Sequence, residues 1–133
     1  MLQGKILIVE DNKELQALFK AQLESYGHAV LQAFCVVEAQ AHFRLHRDEI
    51  VLIILDGYMS PDDQVRTTLQ LIETLRHYYE FKGPMIAASN DPTMREDQMA
   101  AGCDHAIRQN KSEAIDIALN LFAVQEKQAA KTA

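Results

Sequence analysis

The chain has 133 residues, of which 48% are hydrophobic and 24% charged, and its formal net charge is −6. That length suits one domain with a substantial core, and the composition excludes intrinsic disorder. The acidic balance excludes nucleic-acid binding by this domain, because phosphate neutralisation needs clustered lysine and arginine.

Cys35 and Cys103 are the only cysteines and have no CxxC spacing. A structural disulfide or zinc site is therefore not expected, and a reducing compartment suits the chain. No apolar run approaches the roughly 18 residues of a membrane span. The N-terminal segment meets acidic residues too early for a signal peptide. The expectation is a cytoplasmic protein with no membrane contact.

Lys5 to Val9 reads as a short strand, closed by Glu10, Asp11 and Asn12. Leu15, Leu18, Phe19, Leu23 and Tyr26 then recur at helical spacing up to Gly27. Ala29 to Ala33 is a second strand. Val37 to His46 is a second helix, with either Val37, Ala41 and Leu45 or Ala39 and Phe43 turned inward. Ile50 to Leu55 is six apolar residues in a row, the pattern of a strand buried on both faces.

A polar loop follows, then a helix around Leu69, Leu71, Ile72 and Leu75. Pro84 to Ala88 is a fourth strand. Asp91 before Pro92 marks a helix start, and Gly102 ends that helix. Asp104 to Arg108 is a weak fifth strand before a last helix from Ser112 to about Glu126. The domain spans 1–126, and 127–133 read as a frayed tail.

Alternating strands and helices predict a parallel sheet with helices on both faces. In a doubly wound sheet of order 2-1-3-4-5, the first and third strands are neighbours, and ligands bind beyond their carboxyl ends. Glu10, Asp11 and Asp56 all fall at those ends. A carboxylate following a buried strand is costly unless it is paired. Three converging carboxylates would repel one another without a cation, and an oxygen-only set suits magnesium. Asn12, and secondarily Asp11, also suit a helix cap.

With these residues in view, the chain resembles the receiver domain of bacterial two-component response regulators. The resemblance runs from Lys5 to about Val124. It rests on Ile6-Leu7-Ile8-Val9-Glu10-Asp11-Asn12, Ile53-Ile54-Leu55-Asp56, Pro84-Met85-Ile86-Ala87-Ala88-Ser89 and Ala100-Ala101-Gly102-Cys103-Asp104, in order and at strand ends. It implies a flavodoxin-like receiver fold with Asp56 as phosphoacceptor for a sensor histidine kinase or phosphotransfer protein. It further implies Mg2+ held by Glu10, Asp11, Asp56 and the Tyr58 backbone carbonyl, and Ser89 as the hydroxyl that binds the new phosphoryl group. Such a domain is a regulatory phosphoacceptor, not a conventional enzyme, although it can catalyse its own phosphoryl transfer and dephosphorylation. An acyl phosphate forming at Asp56 needs neighbouring positive charge and donors in any case.

The sequence departs from the family pattern on the phosphate-sensing side. The lysine expected after the fifth strand is Gln109, followed by Asn110, with Lys111 two residues further on. Either Lys111 reaches in from a shifted loop, or the site works weakly with the uncharged Gln109. The second is favoured. Ala106, beside His105, stands where an aromatic switch is expected, and alanine has no rotamer to flip. The loop from Ser60 to Arg66 is longer than the pattern, and Ser89 to Gly102 is shorter.

The other chemistry-bearing residues read plainly. His42 and His46 have i, i+4 spacing but no third ligand, which indicates a solvated helix face. His77 beside Tyr78 and Tyr79 reads as helix-end surface, and Cys103 as a small packed residue. On the last helix Ile115, Ala118, Leu119 and Phe122 form one stripe, while Ile117, Leu121 and Val124 form a second. The second is either partly buried by neighbours or a face for an output partner or a homodimer, on the fourth-to-fifth-helix side.

The expected function is thus a receiver that signals through protein contacts. The alternative is a pseudo-receiver that binds partners independently of phosphorylation. A dehalogenase-like phosphatase fits poorly, since it needs a second acid where Tyr58 stands.

Overall fold

The computed structural model describes residues 4–59 and 66–132. The expected lengthening of the loop after Met59 falls largely on 60–65, outside the described residues. The strands are β1 (Lys5–Val9), β2 (Ala29–Ala33), β3 (Ile50–Leu55), β4 (Met85–Ala87) and β5 (His105–Ala106). The helices are α1 (Lys13–Ser25), α2 (Val36–His46), α3 (Leu69–Glu73), α4 (Pro92–Ala101) and α5 (Glu113–Thr132). A π-helical turn, Thr74–Tyr78, continues α3. The five strands are parallel in the order β2-β1-β3-β4-β5.

Strand alternation divides the core in two. Leu7 and Val9 of β1 and Ile53 and Leu55 of β3 face a cluster built on Phe43, Leu71, Ile72, Leu75 and Ala101, from α2 to α4. Ile6, Ile8, Leu52 and Ile54 face the opposite cluster of Phe19, Leu23, Ile115, Ala118 and Phe122, from α1 and α5. Both faces of the central strands are therefore dry, which explains why β3 carries no polar residue.

Of the two inward sets open for α2, Ala39 and Phe43 are buried, while Val37 and Leu45 are 56% and 77% exposed. Phe43 packs on Tyr79 and Phe81, with ring centroids 5.2 and 5.8 Å away, and this aromatic nest decides the helix rotation. In α1, Phe19 and Leu23 are buried, but Leu18 and Tyr26 are exposed. The inward position next to them is filled by Gln16, a polar residue that the apolar stripe passes over.

Helix α5 runs on to Thr132, past the end expected for it near Glu126. The residues there are mostly alanine, lysine and glutamine, strong helix formers with no glycine or proline to stop them. Gly102 ends α4 with φ 145°, and a β-carbon there would come within 2.6 Å of Arg76 Cγ. Asp91 caps α4 by accepting from the Thr93 N–H. Among the described residues, no helix is long and apolar enough to cross a membrane.

Candidate functional site

Val9 and Leu55 are paired in register, so the residues that follow them, Glu10 and Asp56, leave the sheet side by side. The Asp56 N–H still donates to the Val9 carbonyl at 2.9 Å, and the Glu10 N–H to the Ala33 carbonyl at 3.0 Å. Alternation turns both side chains away from the α2–α4 cluster and toward the side where α5 begins. Both are buried. Asp11 stands beside them, more open to solvent.

Among the described residues, Glu10, Asp11 and Asp56 form a group whose ligand oxygens all lie within 4.8 Å of one another. The set is oxygen-only, and an oxygen donor set with room for water is what magnesium takes. The residues present therefore fit the ion. Tyr58 bridges Thr67 through its neighbours, Met59 N–H to Arg66 carbonyl and Thr68 N–H to Gly57 carbonyl, which leaves its own carbonyl pointing out of the bridge.

The charge that Gln109 lacks is provided by Lys111. Its Nζ lies 2.7 Å from Glu10 Oε1 and 3.0 Å from Asp56 Oδ1. Burial alone would lower the Lys111 pKa, but Glu10 and Asp56 outweigh it and hold the ammonium above its ordinary value. Asp11 is raised by burial first, then by a hydrogen bond and repulsion from Glu10, with Lys111 pulling the other way.

The favoured expectation of a site served only by Gln109 is thus corrected: Gln109 is exposed, and the loop is shifted. Its cause is Glu113, whose Oε2 accepts from the backbone N–H groups of Gln109 and Asn110 at 2.9 and 2.6 Å. This carboxylate folds the loop into a turn and brings Lys111 back over the strand ends. The signal was present in the sequence as an acid at the start of a helix, a position favoured beside free backbone N–H groups.

Ser89 is buried at the end of β4, and its Oγ accepts from the Asp91 N–H at 3.1 Å. It lies against Gly57, where an added β-carbon would meet Ser89 Oγ at 2.8 Å and Met94 Cγ at 2.2 Å. Only glycine fits between Asp56 and this hydroxyl. The Gly57 N–H donates to Asp56 Oδ1 at 2.7 Å, fixing the carboxylate's rotamer. The Tyr58 hydroxyl donates to Asp91 Oδ2 at 2.9 Å.

Sequence reading missed three buried polar residues beneath the site. Gln16 Nε2 lies 3.0 Å from each of the Ile8, Glu10 and Ala33 carbonyls. Gln98 Nε2 donates to the Leu55 and Asp56 carbonyls, and the Thr68 hydroxyl donates to the same Asp56 carbonyl at 2.5 Å. Polar residues on helix faces carry no sequence mark that they turn inward.

The remaining candidates stand apart from the pocket. His42 Nε2 lies 2.9 Å from the Gln32 carbonyl, and the His46 ring is paired with Glu49. Cys103 is buried, and burial pushes its thiol up to about 12. On α5, Ile117 and Leu121 are partly buried and packed against the α1–α5 cluster. Of that stripe only Val124, 52% exposed, is openly apolar, so the face is much less hydrophobic than its spacing suggested.

Neither a family model nor a curated protein matches the sequence. The fold, however, is that of response-regulator receiver domains. The chemotaxis protein CheY4 of Vibrio cholerae is similar with a TM-score of 0.72 and 20% identity, covering 89% of this chain and 98% of that one. A CheY-like receiver domain from Methanospirillum hungatei JF-1 is similar with a TM-score of 0.72 and 23% identity, covering 94% and 98%. The CheX–CheY complex of Borrelia burgdorferi with beryllium fluoride and magnesium gives 0.73 and 16%, covering 90% and 89%.

Proposed function

We propose that the protein is a phosphoacceptor in two-component signalling, taking a phosphoryl group from a histidine kinase or phosphotransfer protein onto Asp56. The observation that carries this reading is the ammonium of Lys111, 3.0 Å from Asp56 Oδ1 and 2.7 Å from Glu10 Oε1. A buried nucleophilic carboxylate, a lysine on it, two further acids and a hydroxyl across a glycine are the parts phosphoryl transfer needs.

In the step itself, an Asp56 carboxylate oxygen bonds to phosphorus as the phosphorus–nitrogen bond of phosphohistidine breaks. The electron pair leaves on the imidazole nitrogen. Magnesium, when held by Glu10, Asp11, Asp56 and the Tyr58 carbonyl, supplies charge neutralisation to the phosphoryl oxygens. Lys111 moves from the Asp56 carboxylate to a phosphoryl oxygen, and Ser89 donates its hydroxyl hydrogen to another. Hydrolysis of the acyl phosphate restores the carboxylate, so the domain regulates rather than turns over a metabolite.

The phosphorylation-independent alternative rests on Gln109 and Ala106; Lys111 at the pocket answers the first, and the alanine is the feature left to it. Output through protein contacts agrees with a similar CheY having been seen bound to CheX. A cytoplasmic location follows from a kinase partner that works on cellular phosphoryl donors.

The test is incubation with magnesium and phosphoramidate or acetyl phosphate, followed by intact mass, with Asp56→Asn as control. One added phosphoryl group that disappears in the variant is expected. No adduct at any magnesium concentration would end this reading.

A further inference from the structure

We propose that Gln98 is a positioning residue that fastens α4 to the backbone of Asp56 and carries changes at its carboxylate to the β5–α5 face. The proposal rests on Asp56 being the phosphoacceptor. Gln98 has no exposed surface, yet it keeps a polar amide inside the core. Its Nε2 lies 3.1 Å from the Leu55 carbonyl, 3.0 Å from the Asp56 carbonyl and 3.2 Å from Thr68 Oγ1. Its Oε1 has no partner among the described residues.

A buried acceptor without a partner carries a desolvation cost that methionine or leucine would avoid. The amide is therefore useful only for its donor end. That end serves the last carbonyl of β3 and the carbonyl of Asp56 itself. Thr68, also fully buried, completes the clamp by donating to the Asp56 carbonyl and accepting from the amide. The Thr68 N–H donates to the Gly57 carbonyl at 3.0 Å. Any shift of the Asp56–Gly57 backbone thus pulls on α4 through Gln98, whose amide Thr68 holds from the start of α3.

The rest of α4 is fastened to the sensing side. Its cap, Asp91, holds the Tyr58 hydroxyl and the Ser89 hydroxyl. One turn later, Arg95 donates to the Ser89 carbonyl at 2.9 Å, to the Asn90 carbonyl at 3.2 Å and to the Arg108 carbonyl at 2.7 Å. Arg108 opens the turn that leads to Lys111. Helix α4 therefore links Asp56, Ser89 and the β5–α5 loop by hydrogen bonds. With Ala106 unable to change rotamer, this helix is a second connection between the carboxylate and that loop, beside the direct contact of Lys111 with Asp56.

The experiment compares the parent protein, Gln98→Met and Thr68→Val. Each receives phosphoramidate with magnesium, read by intact mass, and then beryllium fluoride with magnesium, read by amide hydrogen exchange. In the parent, exchange in α4 is expected to change by about fivefold or more. Both variants should still gain the Asp56 adduct but lose this exchange response. Thr68→Ser, which keeps the hydroxyl, should retain it.

An unchanged response in a folded variant overturns the proposal, as does a parent that is phosphorylated without any change in α4. If Gln98→Met does not fold, Thr68→Val carries the same comparison, since it removes one hydroxyl at constant shape. A parent that gains no adduct at all sinks the phosphoacceptor reading and this proposal with it, and the mass alone tells that case from the others.

Discussion

The ammonium of Lys111 sits 3.0 Å from Asp56 Oδ1, held there by a turn that Glu113 ties from the start of α5. The same ammonium lies 2.7 Å from Glu10 Oε1, so it occupies part of the charge that a divalent cation would neutralise. Lys111→Met should therefore act in opposite directions on two measurements. Magnesium affinity should rise, because the pocket loses a competing positive charge. Phosphorylation by phosphoramidate at saturating magnesium should slow about tenfold or more, the loss of one charge-assisted contact to the phosphoryl oxygens. Gln109→Ala should change neither by more than about twofold. Equal losses in both measurements for Lys111→Met would contradict the assigned geometry.

Glu113 is the residue that makes this placement possible, and its effect should depend on pH. The N–H groups of Asn110 and Gln109 hold its carboxyl below the ordinary value of 4.5. A depressed folded pKa means that the contribution is fully present above the unfolded value and is lost as pH falls through the folded one. Glu113→Gln should loosen the 108–112 turn in hydrogen exchange at neutral pH. In the parent the same loosening should appear only on acidification below about 4.5. A turn equally protected in parent and variant at pH 7 would show that another group holds it.

These two residues also show how far the sequence was legible. The acid pocket could be read because Glu10, Asp11 and Asp56 lie at the ends of apolar runs, where the fold leaves little choice of position, whereas Ser89 came with the family resemblance. Lys111 could not, because its reach depends on a turn set by Glu113, and loop direction is not written in hydrophobic periodicity. Gln16, Thr68 and Gln98 escaped for a related reason: their inward turn is visible only once the carbonyls they serve have been placed. The spacing of Ile117, Leu121 and Val124 was legible, but the degree to which α1 and the sheet edge cover that face was not.

Cys103 gives a test of burial that is independent of the site. Its thiol is raised to about 12, chiefly by desolvation, against an ordinary value of 9.0. A raised folded pKa favours the protonated form, so this group's stability contribution is complete below the unfolded value and declines as pH climbs from about 9 toward 12. At pH 8 iodoacetamide should label Cys35, which is partly exposed, and leave Cys103 unlabelled until denaturant is added. Rapid labelling of both cysteines in the native protein would refute the packing around β5.

Gly57 joins Asp56 to the α4 side of the pocket, and its missing side chain is required there. A β-carbon would stand 2.2 Å from Met94 Cγ and 2.8 Å from both Ser89 Cβ and Ser89 Oγ. Gly57→Ala should destabilise the fold by about 1–3 kcal/mol through overpacking. It should also slow phosphorylation more than its stability loss explains, because Ser89 must move away. Denaturant midpoints read the first effect, and adduct rates on the folded fraction read the second. A variant as stable as the parent would mean that Met94 and Ser89 yield freely.

Helix α2 offers the sharpest check on which face of an element the sheet receives. Phe43 is buried among Tyr79, Phe81 and the β3 side chains, whereas Leu45, two residues on, is 77% exposed. Phe43→Ala should cost about 3–5 kcal/mol, the transfer of a large aromatic plus the cavity it leaves. Leu45→Lys should stay within about 0.5 kcal/mol of the parent, because nothing packed is lost and lysine is a good helix former. Val37→Lys should behave like Leu45→Lys, since the two lie on the same outward stripe. A large loss at Leu45 or Val37 with little at Phe43 would mean that α2 is rotated by about half a turn. The opposite pattern fixes the aromatic nest as the feature that sets this helix against the sheet.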